Sequence, residues 1–318
     1  MREVTASAPG KVNLVLRAGA PTADGYHPLA TVFEALDLRE TVTVRTTRTP
    51  GTTVETVAHL PGGGIDRATT ELMRAVPARS HLAVRAARAM QRLAAAGPWA
   101  STAAGLAIRV DKRVPVAGGM AGGSADAAAA LVACNALWGT GLSLPELSAL
   151  AARLGADVPF PLTGATAVGS GRGDLVTPIM TRGAYHWVFA LAEEGLSTPA
   201  VFRRFDEMAG GGQPALHDVP EALTAALRAG DARALAGSLH NDLQAAALDL
   251  RPELAEVIAV AEEAGALRAI VSGSGPTIAA LVEDPGSAQR VSRALKASGL
   301  VADVLRADAP VAGARVVG

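Results

Sequence analysis

One cysteine, Cys134, occurs in 318 residues, so no disulfide can form within the chain and no cysteine-based zinc cluster can be built. A secreted, disulfide-stapled scaffold is excluded. Charged residues are scarce, at 19%, and aromatic residues scarcer still, at 3%. A disordered chain would need many more charges. Neither sign of charge prevails: 29 Lys and Arg face 30 Asp and Glu, a formal net charge of -1. That balance argues against a protein whose main task is to coat nucleic acid or an anionic membrane. The N-terminal run Met1-Arg2-Glu3-Val4-Thr5 lacks the apolar stretch of a signal peptide. The longest apolar run, over 127–142, is broken by Asn135 and Gly139 and falls short of a membrane span. A soluble cytoplasmic protein is the expectation.

What the chain does have is apolar material for a sizeable core, with hydrophobic residues at 49%. Its length is about twice that of a typical domain, which predicts two domains. The stretch Gly169-Ser170-Gly171-Arg172-Gly173 is the expected boundary, giving domains at 1–170 and 171–318. Residues 4–8 read as a strand stopped by Pro9-Gly10, and 12–17 as a second strand. Two more strands are expected over 31–38 and 40–46. Leu82, Ala86, Ala89 and Leu93 give a helix over 81–93 one apolar face. Leu106, Ile108 and Val110 alternate with Ala107, Arg109 and Asp111 in a half-buried strand. Ser143 and Glu146 form a capping box for a helix that should stop at Gly155. The second half mixes strands at 185–192, 269–271, 277–282 and 301–306 with helices near 198–205, 220–229, 232–239, 252–264 and 287–297; Gly210-Gly211-Gly212 reads as a loop. This interleaving without strict alternation predicts an α+β fold rather than a doubly wound sheet.

The sharpest feature is Pro115-Val116-Ala117-Gly118-Gly119-Met120-Ala121-Gly122-Gly123-Ser124, between the strand at 105–112 and an alanine-dominated helix over 124–137. Glycines let backbone N–H groups approach an anion, and the following helix adds free N–H groups and a positive dipole end. A polyphosphate cradle results, with Ser124 placed to bind a phosphate oxygen or Mg2+. A plain loop with Ser124 as N-cap would explain the same residues. Other phosphate motifs fail: no Lys-Ser/Thr follows the last glycine, and no Gly-x-Gly-x-x-Gly occurs in this loop. The six histidines are scattered singly, which leaves a metal cage without support.

This loop resembles the central motif of the GHMP kinase superfamily. Ala8-Pro9-Gly10-Lys11-Val12-Asn13 is similar to that superfamily's N-terminal motif, and Val271-Ser272-Gly273-Ser274-Gly275-Pro276-Thr277 to its C-terminal glycine motif. Asp24-Gly25-Tyr26-His27-Pro28-Leu29, Lys112-Arg113-Val114-Pro115, Leu154-Gly155-Ala156-Asp157-Val158-Pro159-Phe160 and Ser197-Thr198-Pro199 with Val201-Phe202 look like one branch of it. The acceptor in that branch is a cytidine-diphosphate methylerythritol. The resemblance implies ATP-dependent phosphorylation of its 2-hydroxyl in non-mevalonate isoprenoid synthesis, with ATP and Mg2+. It also implies two domains: an N-terminal α/β domain of a type found in a ribosomal protein, and a C-terminal ferredoxin-like α+β domain. The active site would lie between them. The implied partners are these small molecules, with no nucleic acid and no membrane, in a monomer or homodimer. Another GHMP-type kinase, acting on homoserine or mevalonate, is the nearest rival; a silent metabolite sensor on this fold is the rival from a different class.

The resemblance implies roles residue by residue. Asp157 would be the general base, although by itself it reads as a turn residue at a helix-to-strand exit, with Pro159 biasing Val158 toward extended backbone. Lys11 would stabilise the transferring phosphoryl group; alone it reads as a solvated lysine in a turn between strands. Asn13, two residues on, would share its face and orient the acceptor. Tyr26 and Phe202 would sandwich the cytosine while His27 hydrogen-bonds its edge. Gly273, Ser274 and Gly275 would approach the substrate from the second domain, or merely form a tight turn. Asp126, expected in the first turn of the alanine helix, is given no role, and Cys134 is expected to be a small core residue. Two departures stand out: Ala121 carries a Cβ where the family has glycine, and His81 stands where asparagine is expected.

Overall fold

The structure, a computed structural model, describes residues 2–210 and 215–317. The first sheet contains β1 (Glu3–Ala18), β2 (Leu29–Thr46), β3 (Gly51–Ala58), β4 (Gly105–Lys112), β5 (Thr166–Ser170) and β6 (Leu175–Pro178). A second sheet opens with β7 (Tyr185–Leu191); the chain then returns to the first sheet as β8 (His240–Asn241). The strands β9 (Arg268–Val271), β10 (Ile278–Val282) and β11 (Asp303–Ala309) complete the second sheet, in the order β11-β7-β10-β9. Finally β12 (Arg315–Val317) pairs with β1, so the first sheet runs β12-β1-β2-β4-β3 with β5, β6 and β8 as side pairs.

Helices α1 (Arg67–Arg74), α2 (Leu82–Ala95), α3 (Ala100–Ala103), α4 (Gly122–Trp138), α5 (Leu144–Ala152) and α6 (Pro159–Thr163) lie between strands of the first sheet. Helices α7 (Thr198–Met208), α8 (Glu221–Ala229), α9 (Ala232–Ser238), α10 (Gln244–Leu250), α11 (Glu253–Glu263) and α12 (Pro285–Ser298) belong to the second half. None of the described helices is long and apolar enough to cross a membrane. Gly211 and Gly212 of the expected glycine loop lie outside the described residues.

The elements differ from expectation where Pro and Gly were read as stops. Strand β1 runs straight through Pro9-Gly10, and β2 joins the two strands expected over 31–46. The β1–β2 register shifts between Pro9 and Lys11 and again between Asn13 and Val15. Proline is tolerated in a strand at such an irregularity. The shift also changes which face the side chains take. Ala6 and Ala8 pack under α2 and α4, whereas Val12 and Leu14, of the same parity, pack against the second sheet. Lys11 is therefore a buried strand residue, not a solvated turn lysine. The helix over 82–95 buries Ala83, Val84, Ala86, Ala87, Met90 and Ala94, and leaves Leu93 exposed. Residue 170 is the last of β5, which pairs with β6 in the first sheet; the chain crosses to the second sheet between Pro178 and Tyr185.

One apolar cluster unites one face of the first sheet with α2 and α4. A second joins β1 and β2 to Tyr185, Trp187 and Phe189 of β7, so the two sheets share a core. Glu34 is buried in this shared layer, where Trp187 Nε1 donates to its Oε2 at 3.2 Å and Thr166 Oγ1 to its Oε1 at 3.5 Å. Burial pushes its pKa up to about 8. A carboxyl raised in the folded state binds a proton that the unfolded chain has released. Its contribution to stability is complete below the ordinary glutamate range and is lost as pH rises toward 8. Glu34→Gln should therefore flatten the pH profile of the melting temperature between pH 5 and 8.5, gaining most over the parent at the alkaline end. A parallel decline in both proteins would assign the slope to other groups.

Candidate active site

The three glycine-containing motifs meet in space. The Lys11 N–H donates to Met120 O at 3.1 Å, and Ser272 Oγ donates to Gly119 O at 3.3 Å. Gly119 has φ +70°, and a Cβ there would stand 2.0 Å from Ser272 O, so this approach of two backbones requires glycine. A Cβ at Gly273 would lie 3.3 Å from Lys11 Nζ. Between these segments opens a cleft of about 520 Å³, walled by the loop at 115–124, by Lys11 and Asn13, and by Asp157.

The loop presents its N–H groups by alternating backbone hands. Ala117 and Ala121 adopt left-handed φ of 55° and 57°, at a cost of about 1–2 kcal/mol each for an L-residue. Ala121 thus meets the need usually met by glycine and is itself the residue capping α4. That helix starts at Gly122, two residues earlier than expected, which makes Ser124 a first-turn residue rather than an N-cap. Its 17 residues aim a positive dipole end and free N–H groups at the loop.

Lys11 donates to Asn13 Oδ1; Asn13 Nδ2 donates to Thr31 Oγ1 at 2.8 Å, and that hydroxyl donates to Val15 O at 2.6 Å. This chain fixes the ammonium at the cleft wall. Burial draws the Lys11 pKa down, and the Asp157 carboxylate works against that fall. Asp157 lies between α5 and α6, not at an exit to a strand. Val158 is helical, with φ -70° and ψ -34°, because Pro159 opens α6 at its first position, where a missing N–H costs nothing.

Beneath the loop lies a buried ion triad. Lys112 Nζ donates to Glu40 Oε1 at 2.7 Å and to Asp126 Oδ2 at 2.8 Å, and the Arg113 N–H donates to Glu40 Oε2 at 2.7 Å. Burial pulls the lysine down, but the Asp126 and Glu40 carboxylates outweigh it and hold Lys112 above its ordinary value. Asp126 sits past the first turn of α4, contrary to expectation, and its buried Oδ1 has no hydrogen-bond partner. His81, also on the cleft wall, bonds Thr56 Oγ1 through Nε2 at 3.1 Å; its Nδ1 is buried without a partner, and burial lowers its pKa.

Of the expected site residues, Lys11, Asn13, residues 115–124, Asp157, Phe202, Gly273 and Ser274 all line this cleft. Tyr26, His27 and Gly275 do not. Gly275 closes the turn after β9 through its N–H to Ser272 O. His27 stacks on Phe202, with ring centroids 4.7 Å apart, and occupies the face expected for a base. Tyr26 is exposed and lies under the Arg172 guanidinium, 4.9 Å from its ring. A Tyr26–Phe202 sandwich is thus not assembled in this conformation. The triad was missed, although its signal was in the alternation: Lys112 continues the inward parity of Leu106, Ile108 and Val110, and Glu40 that of Val42 and Val44. A charge at such a position requires a buried partner.

Residues 81–165 match the GHMP kinases N terminal domain and residues 223–300 the GHMP kinases C terminal domain. The chain is 49% identical to 4-diphosphocytidyl-2-C-methyl-D-erythritol kinase of Cutibacterium acnes over 314 residues, 99% of this chain and 97% of that one. It belongs to the 4-diphosphocytidyl-2-C-methyl-D-erythritol kinases, a family of GHMP kinases. The Thermobifida fusca member is also 49% identical, over 99% of this chain and 98% of its own. A crystal structure of 4-(cytidine 5'-diphospho)-2C-methyl-D-erythritol kinase superposes with a TM-score of 0.74 at 31% identity, covering 96% of this chain and 99% of that one. Homoserine kinase from Cytophaga hutchinsonii superposes equally well, at 0.74, but at 19% identity, over 100% of this chain and 98% of that one; it shares the fold alone. The protein is thus a two-domain α+β GHMP kinase, a phosphotransferase that uses ATP. The homoserine or mevalonate alternative is not favoured.

Proposed function

We propose that this cleft moves the γ-phosphoryl group of ATP to the 2-hydroxyl of 4-(cytidine 5'-diphospho)-2-C-methyl-D-erythritol, with Asp157 and Lys11 as its catalytic pair. The observation that carries the reading is that Lys11 and Asp157 share one cleft with the glycine-rich loop. The loop N–H groups and the start of α4 hold the ATP phosphates. The acceptor oxygen attacks phosphorus, the bond to the ADP oxygen breaks, and the hydroxyl proton passes to an Asp157 carboxylate oxygen. Lys11, fixed by Asn13, faces the charge that develops on the transferring group. Asn13 also positions the acceptor.

Magnesium takes oxygen donors, commonly one or two from protein together with substrate phosphates. Ser124, a hydroxyl on the cleft wall at the start of α4, suits that donor set and would hold the ion with the nucleotide. When bound, the ion neutralises phosphate charge.

The cytidine reading requires the loop at 19–28 to shift. His27 is held by Gly19 O at 2.8 Å from its Nδ1 and by Asp206 Oδ2 at 3.4 Å from its Nε2. The base would take its place against Phe202, with Tyr26 closing from the far side. ADP release should be fast with the cytidylated diphosphate alcohol and at background with homoserine or mevalonate. Equal turnover across these acceptors would reject the acceptor assignment and leave only the kinase chemistry.

A further inference from the structure

Away from the cleft, a groove of about 730 Å³ runs between the β3–α1 loop and the α12–β11 face. Four cations reach it from separate elements: Arg113 just after β4, Arg293 and Lys296 on α12, and Arg306 on β11. Lys296 has a partner, Asp303 Oδ1 at 3.1 Å from its Nζ. Among the described residues, no carboxylate stands within ion-pair distance of the guanidinium groups of Arg113, Arg293 or Arg306. His59 on the same wall is held by Asp111 at 3.0 Å, and Asp111 is further engaged by Arg109. Asp303 and Asp111 are therefore committed to other cations. Leu38, Val304 and Leu305 also line it, with Leu305 turned toward the layer shared by the two sheets and Val304 toward α12, on opposite faces of β11. In a chain of net charge -1, three unmatched arginines around one concavity are a local reversal of sign.

We infer that this groove is a second anion site, for a small molecule bearing a diphosphate. Guanidinium forks suit phosphate oxygens because each can donate two parallel hydrogen bonds. Arginines from three separate elements line one concavity, unlike a basic stripe along one helix. A diphosphate offers enough oxygens to engage more than one of them, while Leu38, half-buried on the wall, accepts an uncharged substituent. The groove is distinct from the ATP cradle, since its cations do not line the cleft. It is nevertheless connected to it: the Arg113 N–H bonds Glu40, whose other oxygen holds Lys112 at the cleft floor.

The test is calorimetric titration of inorganic diphosphate, without magnesium, into the full chain, its R293A/R306A variant and an R113A variant. Arg293, Arg306 and Arg113 are exposed, so the variants should keep the parent's melting temperature and its ATP turnover. The parent should show two binding events. One, at the cradle, should persist in both variants; the other should weaken by about tenfold or more in each. Sulfate at equal concentration should occupy the second site much more weakly than diphosphate. Indistinguishable isotherms for parent and R293A/R306A would overturn the proposal, as would sulfate binding as tight as diphosphate. Neither outcome bears on the acceptor assay, so failure here and failure of the kinase reading are separable.

Discussion

Asp157→Asn should lower the single-turnover rate of phosphoryl transfer by about a thousandfold, within the range expected for loss of a general base, while ATP affinity stays within about twofold. The substitution keeps shape and removes only the ability to take a proton. The ATP cradle is built from the loop at 115–124 and the start of α4, so nucleotide binding has no need of this carboxylate. A second effect accompanies the loss. Asp157 is the group that opposes the downward shift of the buried Lys11, so its neutralisation lets the lysine pKa fall further. Rapid-quench measurement of ADP formation, paired with nucleotide titration, separates the two steps. A near-parental rate would remove Asp157 from the chemistry; equal losses of rate and ATP affinity would make its role structural.

The largest effect on stability is expected from Lys112→Met. The lysine is 4% exposed, Glu40 0% and Asp126 1%, so the substitution leaves two carboxylates facing each other without water. Breaking a buried ion network by removing one partner costs about 3–5 kcal/mol. Lowering the pH should recover part of that, because protonation relieves the repulsion. The triple variant K112M/E40Q/D126N, which restores neutrality, should be markedly more stable than K112M alone. Because Asp126 belongs to α4 and Lys112 leads into the loop, nucleotide affinity should fall along with stability. Denaturant midpoints at pH 5 and 8 read both effects. An unchanged midpoint for K112M at pH 8 would mean that the triad adds nothing to the fold.

Much of the site was legible because it is carried by short, ordered motifs. Residues 8–13, 115–124 and 271–277 each contain a backbone feature that few side chains can replace, and the structure brings them together. The strand at 105–112 was legible through strict alternation, and α5 through its Ser143–Glu146 capping box. What escaped has identifiable causes. Pro9-Gly10 signals a turn locally, yet the β1–β2 pairing absorbs it as an irregularity. Pro159 restricts Val158 in isolation, but as the first residue of α6 it starts a helix instead. The short strands β5, β8 and β12 owe their existence to partners far away in sequence, which local pattern does not record, while β6 pairs only with its neighbour β5 across the glycine turn that was read as a domain boundary. The His27–Phe202 stack was hidden for a similar reason: it joins a loop at 19–28 to a helix more than a hundred residues later.

Phosphoryl transfer in this cleft depends on the placement of the acceptor alcohol between Asp157 and Lys11. Its most direct test is a crystal structure of the chain with a non-hydrolysable ATP analogue and the cytidylated acceptor. The 2-hydroxyl oxygen should lie about 2.6–3.2 Å from an Asp157 carboxylate oxygen, with the γ-phosphate against Lys11 and the cytosine on Phe202 in place of His27. A 2-hydroxyl directed away from Asp157, with the γ-phosphate out of reach of Lys11, would contradict it.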